Sequence, residues 1–219
     1  MKNLGLTIAS LAISLWAAGP LHAQPDAPYP FALLPLPPAS GPPVKDCAFC
    51  HGVSAQGLAV APRLAGQRAG YIIKEINAFH DHLRDNPYSK LYMWNAAANL
   101  KPDTARALAD YFSHEAPRPA DDGNRALVDQ GRALYQQGDA EANIVTCVAC
   151  HGPNAEGVGA IPRLGGLSYS YLKRRMEQWN EGYHPAAKPM PQVTRNLSAG
   201  QIDALASYLS FLDGQAASR

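Results

Sequence analysis

The residues able to do chemistry lie in two pentads, CAFCH at 47–51 and CVACH at 147–151, one hundred positions apart. Together they hold every cysteine in the sequence: Cys47, Cys50, Cys147 and Cys150. Four cysteines in an exported chain suggest two disulfides, a zinc site shared by both pairs, or a redox-active pair. None of these needs a histidine directly behind each pair. A redox CxxC also calls for a preceding strand in a strand–helix alternation, and neither pentad has one. Covalent haem attachment uses every residue of the pattern. Two thiols one helical turn apart reach the two vinyl groups of one porphyrin, and His51 or His151 offers its imidazole to the iron. Two haem c groups are therefore expected, with disulfide and zinc readings as the alternatives.

The elements that position these residues are written twice. Sliding the sequence by one hundred places lays CAFCHGVSAQGLAVAPRLAGQRAGYI over CVACHGPNAEGVGAIPRLGGLSYSYL. Pro62, Arg63 and Leu64 fall on Pro162, Arg163 and Leu164, and Tyr71 falls on Tyr171. After a three-residue shift Met93 falls on Met190, Leu108 on Leu205 and Tyr111 on Tyr208. That period suits a small domain and is far too long for a solenoid unit. The expected division is a signal peptide at 1–23, a proline-rich arm at 24–43, a first domain at 44–115, a linker at 116–123 and a second domain at 124–213.

Each copy reads as helical. Tyr71, Ile72, Ile76 and Phe79 share a helix face, as do Tyr171, Leu172, Met176 and Trp179. KPDTARALADYFS and SAGQIDALASYLSFL read as closing helices, with Ser198 the better N-cap and Thr104 the weaker. NRALVDQGRALYQQ, residues 124–137, is a further helix ending at Gly138. The Gly- and Pro-rich stretches behind each pentad read as loops.

An electron carrier needs a sixth iron ligand, and a thioether suits it by stabilising the reduced state. Met93 and Met190 occupy matching positions, whereas Met176 fits a core filler. Met190 sits in KPMP, where the prolines read as a loop held against the haem. His80 and His82 are rivals to Met93, and His184 is a weaker rival in the second copy. Pro62 and Pro162 are placed to offer a carbonyl to the proximal imidazole. Arg63 and Arg163 are candidates for the haem propionates. Tyr71 and Tyr171 either bond a propionate or cover a haem edge.

Residues 1–24 carry Lys2, an apolar run from Leu4 to Ala18, and LHA before Gln24, which read as an export signal and point to the periplasm. No later segment is long and apolar enough to span a bilayer. With 19 Lys and Arg against 18 Asp and Glu, charge gives no reason to expect nucleic acid or an anionic membrane as partner.

Over residues 44–213 these features resemble the dihaem class I cytochromes c, most closely the cytochrome c4 family. The resemblance rests on the paired CHG motifs, the paired P-R-L-x-G segments followed by Tyr, and the paired methionines before an LAxY helix. It implies an all-α fold of tandem class I cytochrome c domains, each wrapped around one haem and related by a pseudo-twofold axis. It implies His51 and Met93 on one iron and His151 and Met190 on the other, with propionates meeting near the domain interface. It also implies a periplasmic electron carrier, free or loosely membrane-associated, whose partners are redox proteins: an oxidase, the cytochrome bc1 complex or a dehydrogenase. The alternatives are a dihaem subunit of a periplasmic dehydrogenase, or a dihaem peroxidase or thiosulfate-oxidising enzyme. An enzyme needs a vacant or unusually ligated iron, against which the matched methionines and the lack of further cysteines argue. Two stretches depart from the family pattern. PDAPYPFALLPLPPASGPP stands where the second copy has its leading helix, and FHDHLRDNPYSKLYMW leads to Met93 where a glycine- and arginine-rich turn is usual.

Overall fold

Helix α2, Ala69–His80, and helix α7, Tyr169–Asn180, are the same amphipathic pattern realised twice. In α2, Ile72 and Phe79 turn inward, and in α7 Tyr171, Leu172 and Met176 do so. Helix α7 is fixed at its start by Ser168, whose hydroxyl accepts the Tyr171 N–H. Helix α2 starts at Arg68 with no side-chain cap. The computed structural model describes residues 43–212. The expected signal at 1–23, and all but the last residue of the expected proline-rich arm, lie outside the described residues.

The first copy opens with α1, Val44–His51, directly behind Pro43. Then come α2, a π-helical turn Ser89–Met93, α3, Trp94–Ala97, and the closing helix α4, Pro102–His114. The second copy runs through a 3-10 turn Arg125–Leu127 into α5, Val128–Gln137, followed by α6, Val148–His151. It continues through α7 and α8, Met190–Thr194, to α9, Ala199–Phe211. The fold is all-α, and the described residues contain only isolated β-bridges.

Each copy has its own core. One joins Val44, Ile72, Leu108 and Phe112; the other joins Leu134, Tyr135, Leu172, Met176, Leu205 and Tyr208. Met176 is thus a core residue, as its helical spacing suggests. Gly131 lets α5 pack tightly on α9, where a Cβ would meet the Tyr208 Cβ at 2.6 Å and also the Ala204 carbonyl. Helix α9 begins with the expected Ser198 cap, completed by Gln201 into a reciprocal capping box. At the start of α4, by contrast, Lys101 is the N-cap with no side-chain bond and Pro102 takes the first turn.

One local expectation differs from what is seen. The segment before Met190 is a loop, but Met190 itself opens α8, behind a cis Lys188–Pro189 bond. Met93 closes a π-helical turn, a wider coil that fits one extra residue into the helix around it.

A candidate site built twice and joined by arginines

Both pentads deliver their functional groups in the same way. The His51 Nδ1 lies 2.7 Å from the Pro62 carbonyl, and the His151 Nδ1 lies 3.0 Å from the Pro162 carbonyl. A carbonyl only accepts, so each Nδ1 carries the proton and each Nε2 keeps its lone pair for a metal. The loops that bring these carbonyls round are superimposable in their bonding. The Gly57 N–H donates to the His51 carbonyl at 2.8 Å, and the Gly157 N–H donates to the His151 carbonyl at 2.8 Å. Both glycines have positive φ, and a Cβ at Gly57 would stand 2.9 Å from the Arg63 nitrogen. Burial holds both imidazoles below their usual pKa.

The four cysteines are free thiols, Cys47 and Cys147 half-buried, Cys50 and Cys150 exposed. Burial pushes the Cys47 and Cys147 thiols up to about 11. Among the described residues no three His, Cys, Asp or Glu side chains gather as a metal site. The two cysteine pairs therefore do not close on a common zinc ion.

The arginines expected to meet propionates do something further. Arg63 donates through Nη1 to the Gly166 carbonyl at 2.8 Å and to the Arg118 carbonyl at 2.5 Å, and through Nη2 to the Gly165 carbonyl at 2.6 Å. Arg163 returns the contact, its Nε donating to the Gly66 carbonyl at 2.7 Å. Gln67 bridges both ways to the Arg163 backbone. These reciprocal bonds lock the two copies together across a near-twofold relation.

Four arginines, Arg63, Arg84, Arg163 and Arg175, are buried in this region against one buried carboxylate, Glu75, among the described residues. Burial and the neighbouring Arg163 push Arg63 down to about 10, and burial and Arg84 do the same to Arg175. All stay charged at neutral pH, so the region carries positive charge that an anionic group would relieve. Buried donors also stand without a protein partner: Arg63 Nε, Arg84 Nε and Trp179 Nε1. An excess of buried cation with unfilled donors fits a group bearing carboxylates, as haem does through its propionates. Two thiols and one unprotonated imidazole nitrogen per copy fit its other attachments.

The remaining candidates separate clearly. Tyr171 is buried and its hydroxyl accepts from Arg84 Nη2 at 3.1 Å, while Tyr71 is half-buried beside Glu75. His80 is exposed and bonded to Asp81, and His82 stacks on Trp94 with ring centroids 3.9 Å apart. His184 is 2% exposed, its Nδ1 accepting from Arg175 at 3.2 Å. Sequence reasoning missed Glu75, Arg84, Asp85, Asn86, Arg175 and Gln178. Glu75 and Arg175 occupy matching positions with opposite charge, a signal that the alignment of the copies does contain.

The sequence pattern of the cytochrome c family matches residues 44–115 and again 128–213. The chain belongs to the cytochrome c family, on its dihaem, cytochrome c4-like branch. It is 30% identical over 210 residues to cytochrome c-552 of Acidithiobacillus ferridurans, covering 94% of this chain and 86% of that one. It is 36% identical over 178 residues to a thiosulfate dehydrogenase electron acceptor of Stutzerimonas stutzeri, covering 78% and 81%. Among solved structures, the cytochrome c4 of Acidithiobacillus ferrooxidans superimposes with a TM-score of 0.72 at 34% identity, over 77% of this chain and 99% of that one. Electron transfer is the function of such a dihaem cytochrome, and class I domains of this kind each bind one haem c. No helix among the described residues is long and apolar enough to cross a membrane.

Proposed function

We propose that the chain relays single electrons in the periplasm through two covalently attached haem c groups. One is anchored by Cys47 and Cys50, with His51 and Met93 as iron ligands. The other is anchored by Cys147 and Cys150, with His151 and Met190. The domain limits 44–115 and 124–213, joined by 116–123, belong to the same reading.

The observation that carries it is the matched pair of imidazole bonds to Pro62 and Pro162, each beside two free thiols. The two thiols of each pentad would hold the haem by thioethers, each S–H adding across a vinyl group so that nothing leaves. Haem, once attached, supplies a one-electron Fe(III)/Fe(II) couple. The chain holds the imidazoles in a single tautomer and offers buried arginine charge to the propionates. Through the Arg63 and Arg163 bonds it also fixes one haem site relative to the other. Thioether ligation at both irons stabilises the reduced state and leaves no position for a substrate, which is what a carrier requires. The mature mass should exceed that of the polypeptide by two haems, and the reduced-minus-oxidised spectrum should show a c-type alpha band. A mass without two haems sinks the reading.

The partner is a redox protein of the respiratory chain, with a terminal oxidase as acceptor. A second reading makes the chain the dedicated acceptor of a thiosulfate dehydrogenase, supported by its 36% identity to such an acceptor. Rapid reduction by thiosulfate only when such a dehydrogenase is added would favour the second reading. Equal rates with unrelated donors would favour the free carrier.

A further inference from the structure

We propose that Gln178, on helix α7 of the second copy, is a positioning residue for the Met93 turn of the first copy. The inference rests on the reading of Met93 as an iron ligand. Three consecutive residues ahead of that turn are each tied to the second copy. Arg84 Nη2 donates to the Tyr171 hydroxyl at 3.1 Å, Asp85 Oδ1 accepts the His184 N–H at 2.7 Å, and Asn86 Nδ2 donates to Gln178 Oε1 at 2.6 Å. Arg84, Asn86, Gln178 and His184 are all buried.

From this clasp hydrogen bonds run on to both ends of the Met93 turn. Asn86 Oδ1 accepts from the backbone N–H of Ser89 at 3.2 Å, and also from the Ser89 hydroxyl. The Arg84 carbonyl accepts from the Trp94 indole at 2.9 Å. Ser89 opens the π-helical turn that Met93 closes, and Trp94 follows directly. The turn is thus bracketed by Ser89 and Trp94, which bond to Asn86 and Arg84, and these two are themselves tied to the other copy.

The direction of this hydrogen-bond chain is fixed by chemistry at both ends. Arg175 can only donate, and its Nη1 lies 3.1 Å from Gln178 Oε1, so that oxygen must face it. The backbone N–H of Ser89 can only donate, so Asn86 must offer it Oδ1 and turn its NH2 group toward Gln178. Arg175, Gln178, Asn86 and Ser89 therefore form one relay with no alternative amide orientation. Removing the Gln178 oxygen strands a buried amide and weakens the Ser89 end of the turn, although Gln178 lies in the other copy.

The test uses the haem-loaded protein in a Met190→Ala background, where the far-red sulfur-to-Fe(III) charge-transfer band reports the first iron alone. Imidazole binds such an iron by displacing the sulfur, so its apparent affinity measures how firmly the methionine is held. Gln178→Ala should weaken the band and raise imidazole affinity by at least about fivefold. Gln178→Glu keeps the accepting oxygen and should stay within about twofold of the background. Asn86→Ala approaches the relay from the other side, so it serves if Gln178→Ala does not fold. The double variant should be no worse than either single one. Unchanged band and imidazole affinity in Gln178→Ala, or in Asn86→Ala, overturns the proposal. Adding Met93→Ala to the background must abolish the band. If the band survives that change, the ligand assignment fails, whatever Gln178 does.

Discussion

Arg63 and Gly166 are joined by a 2.8 Å hydrogen bond between the two copies, and Arg163 and Gly66 repeat it in reverse at 2.7 Å. The interface is thus built from the same residues twice, with an arginine side chain of each copy meeting a backbone turn of the other. Carbonyls in such turns have no helix to satisfy them, and a planar guanidinium can serve several at once.

Arg63→Ala should therefore be costly well beyond its lost contacts. It takes the buried guanidinium from the carbonyls of Arg118, Gly165 and Gly166, of which Gly166 keeps the Ala120 N–H. A loss of about 2–4 kcal/mol is expected, with the single thermal transition broadening or splitting as the copies uncouple. Arg63→Lys should recover little, because one ammonium cannot span three acceptors. Calorimetry of the haem-loaded protein checks both, and an unaltered single transition in Arg63→Ala would count against the interface.

Gly131→Ala opposes two effects of known size. Helix propensity favours alanine by about 1 kcal/mol. The new Cβ would stand 2.6 Å from the Tyr208 Cβ and press on the Ala204 carbonyl, so α5 and α9 must separate. The clash should prevail, with a net destabilisation of about 2 kcal/mol or more. Urea unfolding followed at the second copy's haem is the measurement, and a neutral or stabilised variant would contradict the packing.

Much of this architecture can be read in the sequence because it is local or repeated. The pentads, the Pro62 and Pro162 carbonyls and the Ser198 cap follow from spacings within one element or loop, and the repeat doubles the first two of these signals. Arg63 and Arg163 could be recognised as important by their matching positions. Their carbonyl partners in the other copy, about one hundred residues away, could not. The clasp at Arg84, Asp85 and Asn86 leaves no such trace. It lies in the stretch where the copies diverge, and its partners Tyr171, His184 and Gln178 are 87 to 99 positions distant. A polar run ahead of a proline reads as a solvated loop until the second copy folds against it.

Acid should loosen this same region. His184 is held neutral and pushed down to about 4, chiefly by burial, from an ordinary 6.5. Glu75 and Asp85 oppose that shift, while Arg84 and Arg175 reinforce it. Because the folded pKa is depressed, the unfolded chain binds the proton more readily between those values. Stability is then greatest above about 6.5 and falls as pH drops toward about 4, by on the order of 3 kcal/mol in all. His184→Gln should flatten that part of the stability–pH curve. Denaturant titrations at several pH values decide it, and an undiminished slope in the variant would remove His184 as the cause.

If each copy holds its own iron between a histidine and a methionine, a spectroelectrochemical titration of the wild type beside Met93→Ala and Met190→Ala separates the two irons. Two low-spin haems are predicted in the wild type, with each variant losing the high potential of one haem and sparing the other. A Met93→Ala protein with both potentials unchanged would contradict the account and move the first iron's sixth ligand to another residue, such as His80 or His82.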